Sequence, residues 1–227
     1  IHVNFAPVLD VNSNENNPVI GRRSFGESPE KVAHKAIAYA HGLESEGVLS
    51  VGKHFPGHGD TSDDSHKTLP IVNQTRHHLE KFELVPFKKY INSGLGGLMV
   101  GHLNVPAFDN YSRLPASLSP AITDTLLQQK MKFKGLVFTE ALEMKGASEF
   151  PNLAAKALLA GKDILLKPLS PITKMEELLK AIDDGVIPHS LIEEKCLKVL
   201  RYKYILGLNH YSAIPLKNLN QDLNTRQ

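Results

Sequence analysis

The chain has 227 residues, 41% of them hydrophobic and 22% charged, with 26 Lys and Arg against 24 Asp and Glu. Those proportions are ordinary for a folded domain, and a net charge of +2 gives no reason to expect nucleic acid or an anionic membrane as partner. The lone Cys196 excludes an internal disulfide framework and a cysteine-rich zinc module, and no apolar run reaches the roughly 18 residues of a membrane span.

The first element is an extended apolar run over residues 3–11, with Asp10 and Asn12 at its end. Ser28-Pro29-Glu30 then reads as N-cap, first-turn proline and early acid of a helix that stops near Gly47. Its apolar side is Val32, Ala36, Ile37, Ala40 and Leu43 at helical spacing. A second strand, 48–52, leads into Lys53 and His54; His77 and His78 open a helix; a third strand, 97–100, leads into His102 and Asn104. Ser119-Pro120 opens another helix, and the strand 135–138 runs into Thr139 and Glu140. After a fifth strand, 163–166, Thr173 is a candidate cap for a helix to Gly185. Pro188 precedes a last helix, from about residue 190 to 206, which Gly207 stops.

Strands that alternate with helices predict parallel β/α units. Four of the five runs end in or near polar, functional-looking side chains, as expected where the carboxyl ends of barrel strands converge on one face. The even spread favours a (β/α)₈ barrel of the TIM type over an open doubly wound sheet, which would gather such groups at one switch point. A full barrel needs about 250 residues or more. The chain starts at Ile1 without a methionine and ends in a polar tail. It therefore reads as a fragment lacking about the first three strands, with residues 1–208 in the barrel and 209–227 a tail or linker.

Residues 53–66, Lys-His-Phe-Pro-Gly-His-Gly-Asp-Thr-Ser-Asp-Asp-Ser-His, carry three histidines and three aspartates directly after a strand. Two readings of this segment stay open. His54 and His58 have a spacing that gathers metal ligands on a helix, but Pro56, Gly57 and Gly59 oppose a helix there, leaving only a loop to gather them. Alternatively the loop presents one acid/base: Asp64, two residues from His66, can accept from one ring nitrogen and leave the other for substrate. Glu140, at another strand end, is then either a carboxylate nucleophile facing the same cavity or an acid placed at a helix N-terminus.

The segments Asn4-Phe-Ala-Pro-Val-Leu-Asp10, Ile20-Gly-Arg-Arg-Ser-Phe-Gly26, residues 53–66 and Leu69-Pro70 resemble glycoside hydrolase family 3. More narrowly, they are similar to its bacterial β-N-acetylglucosaminidases (β-hexosaminidases), which act on peptidoglycan fragments. The resemblance runs to about Leu208. It implies a retaining glycosidase with His66 as acid/base, Asp64 as its partner and position 140 as nucleophile. It also implies that Lys53, His54 and Arg23 bind sugar hydroxyls, with Arg23 preferred over Arg22. The family's nucleophile is aspartate, and this chain has Glu140. Its sugar-gripping aspartate and arginine on the first three strands are absent here, and residues 146–153 form a shorter segment than in relatives.

The expected partner is a small carbohydrate, an N-acetylglucosaminide, handled by a monomer without cofactor or metal, in the periplasm or cytoplasm of a bacterium. The absence of tryptophan fits a pocket for one terminal sugar better than a long groove. Alternatives are a β-glucosidase of the same family, a sugar-binding barrel impaired by Glu140, and, last, a metal-dependent hydrolase. Among smaller signals, His102 is a candidate substrate contact with Asn104 beside it, and His58 is expected to shape its loop. Asp10 either accepts a hydrogen bond from substrate or anchors Arg23, and the structural role is expected. Asp60 and Asp63 are expected in solvent, Cys196 to be packed, and Lys195, Lys198, Arg201 and Lys203 to form a solvated face.

Overall fold

The computed structural model describes residues 1–63, 68–110, 113–210 and 216–224. Five parallel strands pair in sequence order: β1 (Val3–Asn4), β2 (Leu49–Phe55), β3 (Gly97–Val100), β4 (Leu136–Ala141) and β5 (Ile164–Leu166). Helices cross between them: α1 (Pro29–Ser45) after β1, α2 (Arg76–Lys81) and α3 (Leu84–Asn92) after β2, and the π-helix Ala121–Lys130 after β3. Then come α4 (Lys145–Ser148) and α5 (Leu153–Leu159) after β4, and α6 (Pro171–Asp183) and α7 (His189–Ile205) after β5. Neighbouring strands consecutive in sequence, each returned by a helix, make a sector of a β/α barrel.

Strand residues alternate between two apolar layers. Leu98, Val100 and Val137 pack outward with Ala36 and Ala40 of α1 and Phe87 and Tyr90 of α3. Leu49, Val51, Met99, Leu136 and Phe138 form the opposite layer, against which α7 sets Val199 and Tyr202, with Leu206 just past its end. Glu140 shares the parity of Leu136 and Phe138, so strand geometry alone sends its side chain to the inner side.

Several local expectations change. The run 3–11 forms a strand only at Val3–Asn4; beyond it Val8 makes an isolated parallel bridge to Lys53, with Lys53 N–H donating to Pro7 O (3.0 Å) and Leu9 N–H to Lys53 O (2.6 Å), while Pro7 has no N–H to donate. α6 starts at Pro171 behind Ser170, not at Thr173, since proline suits a first helical position. Cys196 is exposed rather than packed.

The largest departure is in α7. Lys195 and Lys198 do not lie on a solvated face: Lys195 Nζ donates to Asp163 Oδ1 (3.0 Å) and Lys198 Nζ to Asp163 Oδ2 (2.7 Å). Asp163 is 1% exposed in its side chain and Lys195 is 9% exposed, so the pair is sequestered. Asp163 Oδ2 also accepts Val137 N–H (2.8 Å), tying α7 to β4. Removing one partner of a buried pair leaves a charge uncompensated, at about 3–5 kcal/mol. Asp163→Ala is therefore expected to lose about 3 kcal/mol or more in urea unfolding, and Lys198→Ala, whose ammonium is partly hydrated, clearly less.

Candidate active site

The site grows from the carboxyl ends of β2 and β4. Between Gly52 and Phe55 the pairing of β2 with β3 loses register, and this irregular stretch carries Lys53 and His54. Beneath it lies Asp10, fully buried. Its carboxylate accepts the backbone N–H of His54 at both oxygens (3.1 Å each) and that of His58 at Oδ1 (2.8 Å), and Oδ2 meets His54 Nδ1 at 2.7 Å. Burial alone would push the Asp10 carboxyl up; His54, by charge and hydrogen bond, and His58 outweigh it and hold it below its ordinary value. Asp10 thus anchors the two histidines and not Arg23.

With Nδ1 committed to Asp10, His54 turns Nε2 toward Glu140, whose Oε1 is 3.7 Å away. Glu140 sits within β4 and not at a helix N-terminus. Its Oε2 accepts the backbone N–H of His102 (2.7 Å). Burial would raise this carboxyl, but His54, His102 and the amide of His102 hold it below the usual glutamate value. At neutral pH Glu140 is a buried carboxylate with one oxygen tied to the His102 amide and the other 3.7 Å from His54 Nε2.

His102 itself is fully buried. Its Nε2 lies 3.1 Å from Ala141 O, and a carbonyl only accepts, so Nε2 carries the proton and Nδ1 accepts from Ser117 Oγ (2.6 Å). Burial lowers its pKa, which keeps this tautomer neutral. Its contribution to the site is therefore the amide that holds Glu140.

A cavity of ≈ 350 Å³ opens in front of Glu140, lined by Arg23, Lys53, His54 and Met99 among others. Burial and the neighbouring Arg23 lower the Lys53 pKa, against the pull of Asp10 and Glu140. Arg23 reaches the cavity from an exposed 3₁₀ turn, Gly21–Arg23, and donates from Nη1 to Val19 O (3.1 Å). Four of the residues expected at the site, Arg23, Lys53, His54 and Glu140, thus share one cavity. Asp64 and His66 lie outside the described residues. Among the described residues no three His, Cys, Asp or Glu side chains converge to hold a metal.

The loop after β2 is firmly built up to that point. His58 is buried, with Nδ1 2.6 Å from Thr61 Oγ1. Asp60 is half-buried and accepts from Gln74 Nε2 (2.8 Å), while Asp63 is exposed. Asn104 is buried, its backbone paired with residues 70 and 72. Two further buried polar residues here carry no motif in the sequence. Asn17 bonds across to the loop, and Glu83 sits under Gly57 with its pKa pushed up to about 8, chiefly by burial.

Residues 1–202 match the model of the glycosyl hydrolase family 3 N-terminal domain. The chain belongs to that family. This family 3 chain is 38% identical over 213 residues to the β-hexosaminidase A of Pseudoalteromonas piscicida, covering 86% of this chain and 36% of that protein. It is 34% identical over 233 residues to a β-hexosaminidase of Nitrosomonas eutropha, covering 97% and 66%. The solved family 3 β-N-acetylglucosaminidase of Paenibacillus sp. superposes with a TM-score of 0.90 at 37% identity, over 95% of this chain and 42% of that one. The chain thus spans about a third to two thirds of the length of these relatives.

Asp10 carries the expected pH behaviour of this centre. A carboxyl depressed on folding adds stability above its unfolded value, 3.8, and loses it as pH falls toward the lower folded value. Asp10→Asn should be less stable than the parent protein at pH 6 in urea unfolding. The gap should narrow as pH drops below 3.8, because only the parent loses this contribution there.

Proposed function

We propose that the full-length protein is a retaining glycosidase that removes terminal β-linked N-acetylglucosamine from cell-wall fragments or related glycosides. The observation that carries this reading is Glu140: an ionised, buried carboxylate that lines the cavity, with Oε2 held by the His102 amide and Oε1 3.7 Å from His54 Nε2. In the first step Oε1 attacks the anomeric carbon, the glycosidic C–O bond breaks, and His66 gives its proton to the leaving oxygen. In the second, His66 takes a proton from water, whose oxygen displaces Glu140 from the anomeric carbon. Asp64 orients the His66 ring; this pair is assigned from the loop motif. Lys53, His54 and Arg23 bind hydroxyls of the sugar, and no step needs a metal or organic cofactor. Residues 1–208 are the catalytic part and 209–227 a tail or linker.

A second reading rests on the same side chain. Family relatives resembled by the motif use aspartate where this chain has Glu140, and a displacement of about 1 Å in a reacting group can cost about 10²-fold. On that reading the barrel binds N-acetylglucosamine and does not turn it over.

The test is hydrolysis of a chromogenic β-N-acetylglucosaminide by the full-length protein, with and without chelator, beside the matching β-glucoside. Chelator-resistant turnover is expected, with Glu140→Gln losing about 10⁴-fold or more. Glu140→Asp then decides between the readings: a loss of about 10²-fold means the site is built around the longer side chain, whereas a gain means the glutamate impairs it. Because Glu140 acts ionised and its pKa is depressed, the acid limb of kcat/KM should fall below the ordinary glutamate value of 4.5. Saturable sugar binding with no turnover at any pH would establish the binder.

A further inference from the structure

Asn17 is 6% exposed and lies between two loops that leave different strands. Its Nδ2 donates to His58 O (2.8 Å) and Gly59 O (3.0 Å), in the turn after β2, with Thr61 Oγ1 at 3.4 Å. Its Oδ1 accepts the backbone N–H groups of Val19 (2.9 Å) and Ile20 (2.8 Å). A primary amide has two N–H donors and two acceptor lone pairs, and all four are used. The orientation of the amide is unambiguous, since backbone carbonyls line one side and backbone N–H groups the other. Aspartate would lack the donors, and glutamine would be one methylene too long.

The two residues that Oδ1 holds are those that hold Arg23. Val19 O accepts from Arg23 Nη1 (3.1 Å), and Ile20 O accepts Arg23 N–H (2.7 Å). The turn that Nδ2 holds carries His58, whose N–H bonds to Asp10 (2.8 Å), and ends at Thr61, three residues before Asp64 in the chain. Asn14 adds a longer bond from Nδ2 to Ser62 Oγ (3.2 Å) on the same side. One side chain therefore joins the cavity's arginine to the root of the segment that carries the acid/base motif.

We propose that Asn17 is a positioning residue that sets Arg23 and the turn of residues 58–61 in register with each other. This rests on the glycosidase reading above, because it assigns the chain after that turn to proton donation. The link acts by geometry: Asn17 does not itself line the cavity and reaches it only through the backbone of Val19, and on this reading it does not touch the sugar.

The two halves of the amide separate by substitution. Asn17→Asp keeps the acceptors facing Val19 and Ile20 but loses the donors and turns a carboxylate toward two carbonyls. Asn17→Ala loses both halves. With the full-length protein, kcat/KM is measured on a glycoside with an alkyl leaving group, which needs a proton, and on a 2,4-dinitrophenyl glycoside, which leaves without one. Asn17→Asp should lose about tenfold or more on the alkyl substrate relative to the dinitrophenyl one, with KM little changed. Asn17→Ala should in addition raise KM, as Arg23 is released. A partly unfolded variant would lose both substrates in equal proportion, so the ratio reads positioning and not folded fraction. Equal losses overturn the proposal.

Backbone hydrogen exchange supplies a readout independent of turnover. Asn17→Asp should speed exchange in residues 58–61 and spare 19–23, whereas Asn17→Ala should speed both; no change in either segment with Asn17→Ala overturns the link. Should the parent protein turn over neither glycoside, the glycosidase reading fails, and exchange still decides the role of Asn17. Where Asn17→Ala does not fold, Asn17→Ser serves in its place.

Discussion

The site depends on one buried carboxylate. Asp10 is out of reach of water, and a lone ionised carboxylate there would be costly enough to take up a proton instead. It stays ionised because two backbone N–H groups and the Nδ1 side of the His54 ring converge on it. The consequence runs both ways. Those bonds stabilise the charge, and the charge fixes which way the His54 ring faces, leaving Nε2 toward Glu140. It also fixes where the chain goes after β2, since the His58 amide is held by the same oxygen that accepts from His54. A neutral group at this position could hold neither so firmly.

Glu140 shows how strand parity and backbone donors do what sequence distance does not. Being two residues on from Phe138 puts it on the inner side of β4, and the amide of His102, just beyond β3, meets it there. Neighbouring parallel strands in register bring these ends together: Val100 of β3 pairs with Thr139 of β4. The tie from the His102 amide matters more for a glutamate than for an aspartate. The longer side chain has one more rotatable bond, and a hydrogen bond to one oxygen removes that freedom while leaving the other oxygen open.

Much of this was legible in the residues because it is governed by local rules. The order of strands and helices follows from apolar runs bounded by Ser-Pro and Gly signals, and α1 begins at Pro29 where Ser28-Pro29 sets it. Lys53, His54 and Glu140 stand out in the sequence because each closes an apolar run. What escaped is non-local. Lys195 and Lys198 read as a basic face, since nothing in α7 reveals that Asp163, about thirty residues earlier in the chain, lies underneath. Asn17, in an Asn-Asn-Pro loop, has the composition of any turn; its role exists only because the loop after β2 comes within 3 Å of it. His102, at a strand end, has the position of a side-chain contact, but burial and two ring partners leave its backbone as the part that reaches the site.

Glu83 completes the electrostatic picture. It is as buried as Asp10, but its Oε1 accepts from a single hydroxyl, Ser13 Oγ at 2.8 Å, and among the described residues its Oε2 has no hydrogen-bond donor. Burial, with Asp10 and Asp60 nearby, pushes its pKa up to about 8, so near neutral pH it is mostly protonated while Asp10 is charged. Two carboxyl groups in one region divide into an ionised and a neutral one because the donors converge on only one of them. The backbone above Glu83 is shaped to this packing. Gly57 has φ +130°, and a Cβ there would lie 2.9 Å from Glu83 Cβ, so only glycine passes over it. The turn that leads toward residues 64–66 is thus set by a charged carboxylate that pulls on amides and by a neutral carboxyl that fills space beneath a glycine. Both act in this way only because they are buried.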